Sequence, residues 1–296
     1  MQIEAGSAPF GPYRLNWVVG TDQGHVRQVN EDAARAAPLP SGDGLLVALS
    51  DGMGGHVGGR IAANLVVDAI LSAADQDLSG DRPQRYETLV SAMDSAQDAI
   101  SARISEDFSL MKMGATGVAA LFAHGECLHL YAGDSRLYRF PGNGGPAYQT
   151  TDHSVIQVLL DLGQITPEQA RDHPMASVIT SCFGGGPQAR LTIAPEIDSE
   201  SPSAFLPVAA NDLFLLCSDG LCKEIDHSTL VEMVAGRYTP EKLVQACIEA
   251  ALNAGGHDNI TVAVVMVEQM DASARNDDGT IGGNDGIKLE GPFGEK

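Results

Sequence analysis

Short apolar runs, bounded by glycine and polar residues, recur along the chain and predict buried β-strands. They are LNWVVG at 15–20, LLVALSD at 45–51, GVAALFA at 117–123, ECLHLYA at 126–132, DLFLLCSD at 212–219 and ITVAVVMV at 260–267. His124-Gly125 lies between the third and fourth runs and predicts a hairpin turn there. The rest of the chain is organised around LLVALSDGMGGHVGG, in which an apolar run ends at one aspartate, Asp51.

Other stretches have apolar residues every three to five positions, which predicts the buried face of a helix. Two such helices follow the Asp51 glycines, over residues 60–74 and 89–104, with a plain loop at 75–87 between them. Thr166-Pro167-Glu168-Gln169 predicts a capped helix start, and a further helix begins at Thr239-Pro240.

The length of 296 residues and the 44% hydrophobic content predict one folded domain with a sizeable core. Residues 1–14 are mixed and turn-rich, and we expect a flexible lead-in. Residues 269–296 are rich in Asp, Asn and Gly, and we expect a disordered acidic tail.

The formal net charge of −21 argues against nucleic acid or an anionic membrane surface as a partner, because both repel an acidic protein. The five cysteines form no C-x-x-C pair, which favours free buried thiols over disulfides or a zinc site. No secretion signal and no apolar run of membrane-spanning length is evident, so we expect a cytoplasmic protein, and a monomer.

Aspartates follow or precede several of these strands beside small turn residues: Asp32, Asp51, Asp134, Asp219 and Asp258. One such aspartate alone is an ordinary turn residue. Several can converge at one end of a sandwich, where their repulsion requires cations. Hard oxygen ligands favour Mg²⁺ or Mn²⁺, and two such ions support hydrolysis of a phosphate ester.

Arg27 is suited to binding a phosphate in a bidentate way, through two parallel N–H groups of its guanidinium. Other phosphate chemistries fit poorly, since the chain has neither a Cys-x₅-Arg loop nor a Gly-Lys-Ser/Thr P-loop. It also lacks the H-E-x-x-H of zinc hydrolases. For Met53, packing beside the site is the favoured interpretation.

Six segments in order resemble the metal-dependent Ser/Thr protein phosphatases of the 2C (PPM) family, in their bacterial form. The segments are TDQGHVRQVNED, LSDGMGG, MGATGVAALF, YAGDSRLYRF, LCSDGL and GGHDNITV, between residues 15 and 267. The resemblance implies an α+β fold, an α-β-β-α sandwich of two antiparallel sheets flanked by helices. It also implies that residues 15–268 form the catalytic domain, with a flap at about 150–190 that influences substrate choice.

The resemblance implies a role for each matching residue. Asp51 would bridge two metal ions, with the Gly52 carbonyl as a further ligand, while Asp219 and Asp258 would bind the first ion. Glu31 and Asp32 would hold the second ion, and Asp134 with Asp219 a weaker third. Arg27 would bind phosphate. Two further residues, Thr116 and Asn259, match positions near the site, and the catalytic set comprises Arg27, Asp51 and Asp219.

Two residues depart from family patterns. Met53 stands where eukaryotic members have a histidine proposed as general acid, which leaves that role unassigned. Arg60 replaces an acidic residue of the usual bacterial motif, with a possible effect on peptide preference but no loss of a ligand.

The resemblance therefore predicts Mg²⁺/Mn²⁺-dependent hydrolysis of phosphoserine and phosphothreonine in proteins by metal-activated water. Its partners would be phosphorylated proteins and a cognate Ser/Thr kinase, with type VI secretion as a narrower hypothesis from LCSDGLCKE. The alternative is a catalytically impaired binding module, which the complete aspartate set disfavours. A regulator of sigma-factor antagonists would need a sensor domain that this chain lacks.

Overall fold

The computed structural model describes residues 1–54, 57–171, 173–186, 189–197, 204–236 and 238–270. The strands are β1 Gln2–Phe10, β2 Tyr13–Asp22, β3 Ala33–Pro38, β4 Leu45–Ser50, β5 Gly52–Met53, β6 Gly114–Ala115, β7 Gly117–Ala123, β8 Glu126–Ala132, β9 Arg136–Phe140, β10 Tyr148–Gln149, β11 Phe183–Gly184, β12 Phe205–Pro207, β13 Leu213–Cys217 and β14 Ile260–Gln269. The helices are α1 Val57–Leu71, α2 Arg82–Glu106, α3 Val155–Asp161, α4 Pro167–Arg171, α5 Asp219–Cys222, α6 His227–Ala235 and α7 Pro240–Ala254. Short 3₁₀ turns follow α1 and α2, at Ser72–Asp75 and Phe108–Leu110.

Two large antiparallel sheets form the centre of the protein. One has six strands in the order β1-β2-β14-β13-β9-β10, and the other has five in the order β12-β8-β7-β4-β3. A small third sheet, β11-β6-β5, lies where the chain leaves β4. The hairpin at His124-Gly125 is confirmed, with Gly117 paired to Ala132 and Ala123 to Glu126.

Three layers of apolar side chains hold the sandwich together. The inner layer lies between the sheets and includes Phe122 of β7 and Phe214 of β13, whose rings meet edge to face at 4.9 Å between centroids. An outer layer packs α1 and α2 on the five-stranded sheet, and another packs α5, α6 and α7 on the six-stranded sheet. The predicted α-β-β-α fold is confirmed.

This layering explains why β4 and β7 read as continuous apolar runs. Every residue of both strands is buried, because one face meets the opposite sheet and the other meets the helices. Burial of both faces removes the polar alternation that a solvent-exposed strand would show.

The helix starts follow their capping residues. Thr166 and Thr239 cap their helices as predicted, and the Thr239 side chain accepts a hydrogen bond from the Lys242 backbone. The predicted loop at 75–87 is too long, since α2 begins at Arg82. Asp81 and Gln84 form a reciprocal capping box there that the sequence interpretation overlooked.

The predicted flexible lead-in at residues 1–14 is wrong. Residues 2–10 form β1, which pairs with β2 along its whole length from Gln2–Thr21 to Phe10–Tyr13. The predicted tail at 269–296 begins too early, since Gln269 is the last residue of β14. Residues 271–296 of that tail lie outside the described residues.

All five cysteines are free thiols, as expected, and four of them are buried. Among the described residues, none of the helices combines the length and apolar character needed to cross a bilayer.

Candidate metal centre

The predicted acidic residues gather at one end of the sandwich. Asp51 directly follows β4, Asp134 follows β8 after one glycine, and Asp258 lies two residues before β14. Two placements differ from the sequence interpretation. Asp219 opens helix α5 instead of ending β13, and Asp32 directly precedes β3 instead of following a strand.

The pKa values of these carboxyl groups are raised partly because the groups lie close to one another. Burial raises the pKa of Asp51 well above its ordinary value, and the nearby carboxylates of Asp219, Asp32 and Asp134 raise it further. Burial also raises the pKa of Asp32 to about 7, although hydrogen bonds from Thr261 and Ser218 oppose the rise. The pKa of Asp134 is raised to about 7, mainly by burial and then by Asp219. The ionised cluster is therefore unfavourable on its own, and bound cations would offset the repulsion.

Thr116 fixes the backbone of Asp51. Its backbone N–H donates to the Asp51 carbonyl oxygen at 2.9 Å, and its hydroxyl accepts from the Asp51 N–H at 3.0 Å. The same hydroxyl lies 2.7 Å from the Ser135 hydroxyl, beside Asp134. Thr116 thus links the two segments that carry Asp51 and Asp134.

Asn259 fixes the loop that carries Arg27 and Glu31. Its side-chain amide donates to the backbone carbonyls of Gln23 and Val29, at 2.9 and 3.1 Å. Its side-chain oxygen accepts from the Glu31 N–H at 2.8 Å. The loop at 23–31 therefore closes on the residue that follows Asp258, which brings both acidic segments together.

Ser218 is a contributor that the sequence interpretation missed. Its hydroxyl donates to Asp32 Oδ2 at 2.8 Å and accepts from the Thr261 N–H at 3.0 Å. A repeated motif could have identified it from the sequence, since Ser-Asp-Gly occurs at both Ser50–Gly52 and Ser218–Gly220. The Ser50 hydroxyl likewise donates inward, to the Thr116 carbonyl at 2.6 Å.

The glycines permit close packing around these acids. A Cβ at Gly220 would lie 2.0 Å from the Asn259 carbonyl oxygen, so only glycine lets α5 approach the Asp258 segment. A Cβ at Gly52 would lie 2.5 Å from the Glu31 carbonyl oxygen. Gly52 and Met53 form β5, and Met53 is partly exposed and pairs with Gly114. Arg60 is an exposed residue of α1.

Two basic side chains contact the cluster. Arg27 Nη2 lies 2.6 Å from Asp258 Oδ2, with 47% of the arginine side chain exposed. Lys223, which the sequence interpretation missed, forms an ion pair through its Nζ with Asp219 Oδ2. Burial lowers the pKa of Lys223, but the attraction of Asp219, Asp134 and Asp51 more than offsets this and raises it overall.

The oxygen donors of the cluster are of the kind that hard divalent cations prefer. Asp32 Oδ1 and Asp219 Oδ1 are buried and accept no hydrogen bond from the described part of the chain, which leaves two carboxylate oxygens for a ligand. In the described ranges, no group of three His, Cys, Asp or Glu side chains is arranged closely enough around one point to hold a metal ion. Instead, Lys223 and Arg27 pair with two of the carboxylates.

A groove of about 520 Å³ opens beside the cluster. It is lined by Asp134, Asp219 and Lys223 and also by residues of the predicted flap, including Ile156 and Ser177. Arg136 and Asp152 also line it and form a bidentate pair, with both N–O distances at 2.7 Å. A chain segment lying in this groove would reach the acidic cluster from the flap side.

Comparisons with known proteins agree with this arrangement. The sequence profile of the protein phosphatase 2C family matches residues 19–253. The serine/threonine protein phosphatase PstP of Mycobacterium tuberculosis is 35% identical over 87% of this chain, which spans 46% of that relative, or about half its length. Protein phosphatase PhpP of Streptococcus pneumoniae is 30% identical, over 85% of this chain and 97% of its own.

Two solved structures are similar in both fold and sequence. The catalytic domain of PstP in complex with two manganese ions has a TM-score of 0.71 and 32% identity, over 86% of this chain and 98% of that one. PppA, a regulatory component of the type VI secretion system in Pseudomonas aeruginosa, has a TM-score of 0.69 and 31% identity, over 88% and 100% of the two chains. The chain belongs to the protein phosphatase 2C family.

Proposed function

We propose that this protein is a metal-dependent serine/threonine protein phosphatase that hydrolyses phosphoserine and phosphothreonine in proteins. The observation that carries the proposal is the gathering of buried aspartates around Asp51 next to an open groove. Its relatives PstP and PhpP are named as phosphatases, which supports the same reaction here.

Two Mn²⁺ or Mg²⁺ ions would be held by Glu31, Asp32, Asp51, the Gly52 carbonyl, Asp219 and Asp258. Asp134, together with Asp219, would line the position of a weaker third ion. Such ions supply a water of lowered pKa and positive charge opposite the phosphoryl oxygens. The two manganese ions in the PstP catalytic domain support this choice of cofactor. The buried, unpartnered oxygens of Asp32 and Asp219 support it from this chain's own structure.

The protein's own groups orient the reactants. Thr116 and Asn259 hold the backbones of Asp51 and Glu31 in place, so these acids need little reorganisation when a substrate arrives. Arg27 lies at the exposed rim beside Asp258, where its second guanidinium edge can bind a phosphate oxygen. The groove gives the polypeptide around a phosphorylated residue a path past the flap.

The biological setting is proposed on similarity alone. PppA is a regulatory component of a type VI secretion system, and its likeness to this chain supports secretion as one setting. Reversal of a Ser/Thr kinase follows from the proposed reaction, because such a kinase would supply the phosphorylated substrates. A catalytically impaired binding module is the weaker alternative, because the sequence keeps every acidic residue of the predicted set.

The test is hydrolysis of p-nitrophenyl phosphate and of a phosphothreonine peptide by the purified protein with Mn²⁺. We expect turnover in Mn²⁺, none in excess chelator, and none from Asp219→Asn. An Asp94→Asn variant, which changes an exposed acid on α2, serves as the matched control and should keep full activity. Activity that persists in excess chelator would overturn the metal-dependent reaction.

A further inference from the structure

Lys223 lies where the family resemblance implies a third metal ion. That ion would share Asp134 and Asp219 as ligands. In the structure the Lys223 ammonium forms an ion pair with Asp219 and also interacts electrostatically with Asp134. All three residues line the same groove, and the ammonium already interacts with both acids that the third ion would use.

The backbone keeps Lys223 in this position. Its N–H donates to the Asp219 carbonyl at 2.8 Å, one turn along α5, which puts the two side chains on the same helix face. The start of α5 is itself held by the Ser218 N–H, which donates to the Thr261 carbonyl at 3.0 Å. Gly220 packs this turn closely against the backbone of Asn259, the residue after Asp258.

The formal charges of the cluster also favour two divalent ions over three. Glu31 and the five aspartates carry six negative charges when ionised. Two divalent ions together with Arg27 and Lys223 supply six positive charges, and both basic residues already contact the cluster. A third divalent ion would leave the site with excess positive charge before substrate binds, and it would have to displace the ammonium from Asp219.

Arg136, the other basic residue of the groove, cannot take the same part. Its Nε and Nη2 donate to Asp152 and its Nη1 donates to the Tyr138 hydroxyl at 3.1 Å, so all three guanidinium nitrogens are already engaged. Lys223 has 39% of its side chain exposed and Asp219 only 12%, so the ammonium lies between the buried acid and the groove.

We propose that the Lys223 ammonium replaces the third metal ion of the site, so that this protein works with two divalent ions and one built-in cation. The inference rests on the proposed two-ion site and concerns only the position shared by Asp134 and Asp219. It predicts a metal stoichiometry, which is measurable without any assay of activity.

The experiment is a Mn²⁺ titration of the full chain, in which the decrease of the free-ion electron paramagnetic resonance signal counts bound ions. Wild type should saturate at two ions per chain, whereas Lys223→Gln should bind a third. The third ion should be lost again in Lys223→Gln with Asp134→Asn. Lys242→Gln removes the same charge from an exposed position on α7 and should stay at two.

Three ions in wild type, or two in both Lys223→Gln and Lys223→Met, would overturn the inference. The Met variant keeps the length of the side chain and covers the case in which Gln perturbs folding. Failure of the proposed function would look different, because wild type would then bind no Mn²⁺ or hydrolyse no phosphate ester.

Discussion

Thr116 forms hydrogen bonds with both backbone groups of Asp51. The Thr116 N–H donates to the Asp51 carbonyl oxygen, and the Thr116 hydroxyl accepts from the Asp51 N–H. Thr116→Val removes the hydroxyl with little change in volume and leaves the Asp51 N–H without its partner. We expect a loss of about 1–3 kcal/mol in the free energy of unfolding. The kcat/KM for p-nitrophenyl phosphate should fall about 10- to 100-fold as Asp51 shifts. Thr116→Ser keeps the hydroxyl and should stay close to wild type; equal losses in both variants would contradict this role.

Metal removal should destabilise the protein as well as inactivate it. Ions that bind only the folded cluster stabilise it by about 2.7 kcal/mol at a concentration 100-fold above their Kd. For a protein of this size, that corresponds to a Tm rise of roughly 5–10 °C in Mn²⁺ relative to chelator. Differential scanning fluorimetry measures the shift, and Asp51→Asn should abolish most of it. An unchanged Tm in wild type would argue against binding at this cluster.

Arg27→Ala should chiefly weaken substrate capture. The arginine lies at the rim, and loss of one charge-assisted interaction with phosphate costs about 1.5–3 kcal/mol. The KM for a phosphothreonine peptide should therefore rise about 10- to 100-fold, with a smaller change in kcat. Arg27→Lys keeps the charge but not the two-pronged geometry, so an intermediate KM is expected. A wild-type KM for the Ala variant would exclude the phosphate-binding role.

His129 should make folding sensitive to mild acid. Burial lowers its pKa to about 4, and the neutral ring donates from Nδ1 to the Ala204 carbonyl and accepts at Nε2 from the Tyr148 hydroxyl. Between pH 6.5 and 4 the unfolded chain binds a proton at this site that the folded chain does not. Stability is therefore lost as pH falls through this window, by up to about 3 kcal/mol.

Urea denaturation at several pH values, with Mn²⁺ present throughout, measures this dependence. The His129→Gln variant cannot titrate, and its unfolding free energy should fall less between pH 6.5 and 4. Parallel curves for wild type and variant would show that His129 does not titrate differently on folding.

Much of the fold follows from local pattern. The runs at 117–123 and 126–132 became β7 and β8 with the same bounds, because strands buried on both faces leave an uninterrupted apolar signal. The strand β1 escaped prediction because it is an edge strand whose first residues are exposed, so nothing in QIEAGSAPF alternates. Its Gly6 lies against the Trp17 ring, a contact that depends on the register of pairing.

The candidate site likewise has residues that the sequence predicts and residues that it does not. An aspartate beside a glycine at a strand end is visible in the sequence, and the family resemblance assigns the others. The partners of these acids are not visible, since Ser218 reaches Asp32 across 186 positions of the chain. Lys223 was overlooked because its spacing of four from Asp219 acquires meaning only when Asp219 is in a helix.

The acids of the cluster come from both sheets: Asp51 and Asp134 follow strands of the five-stranded sheet, while Asp219 and Asp258 flank strands of the six-stranded sheet. Bound ions would thus cross-link the two layers at one end only. Amide hydrogen exchange in Mn²⁺ should slow most near Asp51 and Ser218, and least at the distant His124-Gly125 turn. The two ends of the sandwich would then unfold locally with different free energies, and the metal concentration would change that free energy only at the end that binds the ions.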